Sequence, residues 1–150
     1  MTVLSPAERA FLDATRTATL ATIDPDGCPR LVPICFVVSD EGGAPVLWSP
    51  IDEKPKRSAE PRSLARVRDV LYRADVTLLV DHWSEAWSEL HWLRIRGQAT
   101  LVEPDPEDER LPAIVAALRT KYPQYNGHDL ERRPMLQIAV ESIVGWSASG

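Results

Sequence analysis

Residues 17–38 constrain the fold more than any other stretch. Residues 17–23 are dense in β-branched side chains and run into Asp24-Pro25-Asp26-Gly27, a turn sequence, after which residues 30–38 read as a second strand. Strands joined by so short a link pair antiparallel, so a β-hairpin opens the fold.

Four more strands follow. Residues 40–43 form a second turn before a short strand at 45–49, and residues 76–81 form another. The long strand 90–102 puts Trp92, Arg94 and Arg96 on one face, opposite Leu93, Ile95 and Gly97. Residues 135–144 make a last, largely apolar strand. Helices lie between. Ser5-Pro6-Ala7-Glu8 combines a capping hydroxyl, a first-turn proline and a capping-box glutamate, starting a helix that runs to about Thr15. A second is expected over residues 62–73, with Leu64, Val67 and Leu71 on one face. A third begins near Asp105-Pro106, presents Leu111, Ile114, Val115 and Leu118, is kinked or delayed by Pro112, and stops at Tyr122-Pro123. Six strands with only short helices predict a mainly β, α+β domain, a closed or nearly closed antiparallel barrel with short flanking helices.

At 150 residues and 44% hydrophobic content, residues 1–150 make one domain with one core. A ligand larger than a metal is therefore expected at a surface groove or a subunit interface. No apolar run reaches the roughly 20 residues of a membrane span, and the first residues lack a signal-peptide pattern, so a cytoplasmic location is expected. Cys28 and Cys35 show no C-x-x-C spacing and no histidine pair to complete a zinc set, which predicts neither a disulfide framework nor a metal. A net charge of -5 argues against a nucleic-acid partner. The charge is uneven, however: Lys54, Lys56, Arg57, Arg62, Arg66, Arg68 and Arg73 face only Glu60 and Asp69 in the same stretch, whereas residues 103–109 are acidic. A local basic patch on an acidic protein suggests a bound anion.

Two constellations bear on chemistry. In Trp48-Ser49-Pro50-Ile51-Asp52-Glu53-Lys54-Pro55-Lys56-Arg57 a strand runs into a loop with three closely spaced cations, donors of the kind phosphate recognition needs; taken alone, the segment reads as a solvated basic loop. Trp83, Trp87 and Trp92 cluster near His82, His91, Arg94 and Arg96. Such rings either stack on a planar ligand or close a barrel end or dimer seam. Side-chain catalysis finds little support. The histidines lack metal-ligand spacing, no G-x-S-x-G elbow is present, and Cys35 between Ile34 and Phe36 reads as a small core residue. No catalytic residue is assigned, and any reaction is expected to be carried by a cofactor.

In order and spacing, these features resemble the split-barrel superfamily of pyridoxamine 5'-phosphate oxidases, and within it the flavin/deazaflavin oxidoreductases of actinobacteria. The resemblance rests on residues 20–30 followed by Val32-Pro33, on Lys54-Pro55-Lys56-Arg57, on Val80-Asp81-His82-Trp83 with Trp87, on residues 92–97, and on Lys121-Tyr122-Pro123-Gln124-Tyr125. It implies a six-stranded split barrel that forms a homodimer with cofactors in grooves at the interface. By position, Lys54, Lys56 and Arg57 would hold the cofactor phosphate, and Trp48 and Ser49 would line the groove. Val32, Pro33 and Ile34 would offer backbone groups to the ring edge, while Trp83, Trp87, Trp92 and Arg94 would reach cofactor or substrate, in part from the partner. The chain ends soon after its last strand, without the arginine-bearing segment that vitamin B6 oxidases use for substrate phosphate. Arg62, Arg66 and Arg68 suit the polyglutamate tail of F420 better than the shorter FMN. The reading is an F420H2-dependent reductase passing hydride to a small organic acceptor. Its alternatives are an FMN-dependent oxidase or reductase and a non-catalytic flavin, deazaflavin or tetrapyrrole binder.

Overall fold

A single aspartate closes the first hairpin. In the computed structural model, which describes residues 2–41, 43–51 and 60–150, Asp24 Oδ1 accepts the N–H groups of Asp26 and Cys28, both at 2.9 Å. Gly27 takes a φ of +85°, open to glycine at little cost. Strand β1 (Ala18–Ile23) therefore pairs antiparallel with β2 (Pro29–Ile34), Ala18 opposite Ile34 and Ile23 opposite Pro29.

The single strand expected over residues 30–38 is two strands. Beyond Ile34 the chain passes Cys35 and Phe36 and enters β3 (Val37–Glu41), which pairs with β4 (Ala44–Pro50) and not with β1. Tyr122 makes the break possible. Its buried hydroxyl accepts the Phe36 N–H at 3.0 Å and offers its one proton to the carbonyls of Arg16 at 2.8 Å and Phe36 at 3.1 Å. Backbone groups that leave one ladder before joining the next thus keep a partner away from water.

Strands β5 (Asp75–His82), β6 (His91–Val102) and β7 (Met135–Ser147) complete one antiparallel sheet in the order β2-β1-β5-β6-β7-β4-β3. The expected count of six becomes seven, and the sheet does not close, because β2 and β3 each pair on one side only. These edges are consecutive in the chain and separated only by Cys35 and Phe36, so the sheet curls until they meet at that corner. Inside the curl, Leu20, Leu78, Ile95, Leu136 and Ile138 are fully buried with Phe36.

Helices cover what the curl leaves open. α1 (Pro6–Ala14) starts where Ser5 Oγ accepts the Glu8 N–H at 3.1 Å, and it delivers Leu12 to the core. α2 (Ala65–Tyr72) follows a 3-10 turn at Pro61–Ser63 and buries Val67, Asp69 and Val70. Leu71, expected on the apolar face, is 58% exposed. The reason is Asp69, whose Oδ2 accepts from Thr22 Oγ1 at 2.7 Å and Arg30 Nε at 2.8 Å and so fixes the rotation of the helix. α3 (Leu111–Lys121) starts later than residue 105, with Pro112 in its first turn. It packs Ile114, Val115 and Leu118 on the other face of the sheet, against Val37, Val46 and Trp48. Among the described residues no helix is long and apolar enough to cross a membrane.

Candidate functional site

Strand β2 is a free edge. Paired with β1 alone, it points alternate backbone N–H and C=O groups away from the sheet. Pro29 and Pro33 lack the amide hydrogen and suit such an edge, where no ladder bond is lost. Val32, Pro33 and Ile34 therefore lie on accessible backbone, with Pro33 exposed, Val32 half-buried and Ile34 packed inward.

From Pro33 the register runs across the outer face of the sheet through Thr19 and Leu79 to Arg94 and Val144. The next row on that face joins Asp81, Trp92 and Trp146. Leu79, Val144 and Trp146 are large apolar side chains left exposed there, as is Leu31 on β2. Arg94 lies over the Trp92 ring with its guanidinium carbon 5.5 Å from the centroid, a cation–π contact. At the end of the face where β5 turns into β6, Trp83 is 65% and Trp87 70% exposed. Ser84 shapes this loop: its Oγ accepts the Ala86 N–H at 3.1 Å and donates to Glu89 at 2.9 Å. Trp92 and Arg94 thus share the outer face, and Trp83 and Trp87 stand exposed in the connection at its β5–β6 end. Arg94 and Pro33 share a row but stand three strands apart, roughly 14 Å at ordinary strand spacing.

The other expected residues lie elsewhere. Trp48 is fully buried beneath α3, donating its indole N–H to Ser39 Oγ at 3.0 Å, with the Arg110 guanidinium 5.2 Å from the ring centroid. The Ser49 side chain is buried as well, so in a single chain neither side chain faces a groove. Lys54, Lys56 and Arg57 lie outside the described residues. The flanks of their segment are anchored at one end of the sheet: Ile51 N–H donates to the Pro134 carbonyl at 3.1 Å, and Arg62 is ion-paired with Glu103. Pro134 immediately precedes β7 and Glu103 immediately follows β6, where Val102 pairs with Met135.

Two of the three histidines pack on aromatic rings. His91 meets Phe11 with centroids 3.9 Å apart, and His128 meets Tyr125 at 5.4 Å. Among the described residues no three histidine, cysteine or acidic side chains group as metal ligands. Two perturbed titrations serve the β2–β3 corner. Burial pushes the Lys121 ammonium down to about 8 and the Tyr122 phenol up to about 12. Lys121 donates to the Leu12 carbonyl at 3.0 Å and sits 3.9 Å from the Phe36 ring centroid. Sequence reasoning missed the apolar partners Leu31, Leu79, Val144 and Trp146. The alternation Val144-Gly145-Trp146, continuing the strand past residue 144, was the signal for the last two.

The fit of these residues to a flat, anionic cofactor is fair: a free backbone edge, exposed indoles, an arginine on the same face, and a basic segment between anchored flanks. Similar proteins share this fold. A conserved hypothetical protein of Mycobacterium tuberculosis superposes with a TM-score of 0.70 at 22% identity, over 97% of this chain and 86% of its own. An F420 reductase does so with a TM-score of 0.64 at 18% identity, over 94% and 98%. HutZ, the heme storage protein of Vibrio cholerae, gives 0.65 at 14% identity, over 97% and 95%. At these identities the likeness shows the fold. No curated protein matches significantly. The sequence profile described as pyridoxamine 5'-phosphate oxidase matches residues 4–147, nearly the whole chain. This protein therefore belongs to the pyridoxamine 5'-phosphate oxidase family, within the split-barrel superfamily.

Proposed function

We propose that this protein is an F420H2-dependent reductase that works as a homodimer, each cofactor lying between the β2 edge of one chain and the outer sheet face of the other. The observation that carries the reading is the exposed apolar face that shares its rows with Pro33 and Arg94. A second copy laid on the apolar face brings a second set of indoles and a second Arg94 to a ring held at the β2 edge. Exposed Leu79, Val144 and Trp146 give that copy something to cover.

In this arrangement Val32, Pro33 and Ile34 hold the edge of the ring by backbone groups. Lys54, Lys56 and Arg57 hold the phosphate, and the partner's equivalents of Trp83, Trp87, Trp92 and Arg94 close over ring and acceptor. Trp48 and Ser49 act from beneath, supporting the strand that leads into the basic segment. Reduced F420, when bound, supplies the hydride. The chain's part is to bind and orient cofactor and acceptor, with solvent as the proton source. F420 is favoured over FMN by the surplus of cations. With Arg62 engaged by Glu103, that charge rests on Lys54, Lys56, Arg57 and exposed Arg68. Likeness to an F420 reductase points the same way. The heme storage protein of the same fold keeps a non-catalytic binder as the alternative.

Fluorescence titration with F420 and, separately, FMN is expected to rank F420 tighter, with one cofactor per chain. Lys56→Ala with Arg57→Ala is expected to weaken it at least about tenfold by removing charge-assisted phosphate contacts. Tighter FMN binding with electrons passed to oxygen would move the assignment to a flavoenzyme, and unchanged F420 affinity in the variant would discard the phosphate site. Sedimentation is expected to give a two-chain particle. Leu79→Lys with Val144→Lys should weaken it about tenfold or more, since two charges would be buried unpaired. A wild type that sediments as one chain refutes the shared site.

A further inference from the structure

A cavity of about 880 Å³ opens beside α3. Its floor is apolar, formed by Val102 at the end of β6, Met135 at the start of β7, Leu111 and Val115 of α3, and Leu130. Pro104, Pro106 and Pro112 line it too, and their fixed φ angles give a preformed wall. The volume is that of a small-molecule site.

Its rim carries three acids and three arginines, which differ in how far internal contacts engage them. Glu131 is ion-paired with Arg119, which also donates to the carbonyls of Tyr125 at 3.1 Å and His128 at 2.7 Å. Asp108 takes Arg110 in a two-pronged contact at 3.0 and 2.8 Å. Both carboxyls are held below their ordinary range by these arginines. Asp105 accepts the Glu107 N–H at 2.9 Å. The remaining cations are less committed. Arg133 donates only its Nε, to the Ile51 carbonyl, leaving its terminal nitrogens without a hydrogen bond among the described residues. The Arg132 side chain is 87% exposed and reaches Asp129 only at 3.6 Å.

We propose that this cavity binds an amphipathic monoanion, a compact apolar body ending in one carboxylate or sulfonate, with the body against Leu111, Val115 and Met135 and the anion at Arg132 and Arg133. The site shares no residue with the proposed cofactor groove and stands whether the cofactor is F420, FMN or neither. A neutral apolar molecule would leave both guanidiniums unused, a cation would be repelled by them, and the second charge of a dianion would be repelled by the carboxylates of the rim.

The test uses the full-length protein and two fluorescent probes of one shape, anionic 8-anilinonaphthalene-1-sulfonate and neutral N-phenyl-1-naphthylamine. Both are expected to bind once per chain, the anion about fivefold tighter. Ala116→Trp, at an exposed α3 position lining the cavity, should weaken both at least about tenfold. Arg132→Gln with Arg133→Gln should bring the anion down to the affinity of the neutral probe and leave the latter unchanged. Should Ala116→Trp fail to fold, Ala116→Glu serves in its place, weakening the anion alone. A folded Ala116→Trp with unchanged affinity for both probes overturns the site, as does an unchanged anion affinity in Ala116→Glu. Arginine variants that affect both probes equally, or neither, overturn the anionic assignment.

Discussion

Gly97→Ala is expected to lower the free energy of unfolding by about 3 kcal/mol, and the thermal midpoint by roughly 6–12 °C. Gly97 lies where the β6–β7 register shifts, between Arg96 opposite Ser142 and Gly97 opposite Val140. A Cβ built there falls far inside van der Waals contact of the Ala139 carbonyl oxygen and 3.1 Å from Ile138 Cγ2. The obstacle is backbone of a paired strand, so relief requires β6 and β7 to separate along the longest ladder of the sheet. Gly145→Ala is the control. There the added methyl meets Leu93 Cδ2, the end of a side chain that can change rotamer, and the loss is expected to stay under about 1.5 kcal/mol. Equal midpoints for wild type and Gly97→Ala in a calorimetric scan would refute the close approach of the two strands.

Asp69→Ala is expected to cost about 2–3 kcal/mol, read as a lower urea midpoint at unchanged slope. Of its two partners, Thr22 carries the larger share. Thr22 is 1% exposed and its hydroxyl loses the one acceptor it has among the described residues, whereas Arg30 is 41% exposed at its side chain and finds water instead. Arg30→Met should cost at least as much, because it strands the buried Asp69 carboxylate without its counter-charge. Thr22→Val in the Asp69→Ala background should recover part of the loss, because it removes the stranded hydroxyl. If Asp69→Ala and Arg30→Met each cost under about 0.5 kcal/mol, the clasp between α2 and the β1–β2 hairpin is a surface ion pair and nothing more.

The local signals in the chain were read well where a residue acts on its neighbours. The Asp24–Gly27 turn, the Ser5 cap and the alternation of Leu93 and Ile95 against Trp92 and Arg94 each depend on contacts within a few residues, and each stands in the structure. The break at Cys35-Phe36 was not legible. Residues 30–38 carry an unbroken β pattern, and what divides it is Tyr122, 86 positions from Phe36. Leu71 was misplaced for a similar reason: a helical wheel assigns it inward with Leu64 and Val67, but the buried Asp69 turns the helix toward Thr22, 47 positions away. The candidate site was legible in its residue types and not in its arrangement. Trp48 looked like a groove residue from its place before the basic segment, yet the side to which a strand residue points depends on what packs there, and α3 packs on Trp48.

The sequence by itself determined that the protein is an antiparallel β domain with short helices and that it belongs to its family, because strand propensity, turn chemistry and residue order are properties of neighbours along the chain. Only the tertiary structure decided that the sheet has seven strands with two meeting edges, that an apolar face is left uncovered, and that a cavity with two under-committed arginines lies beside α3. Those outcomes depend on contacts between residues far apart in the chain, where burial and pairing outweigh local preference.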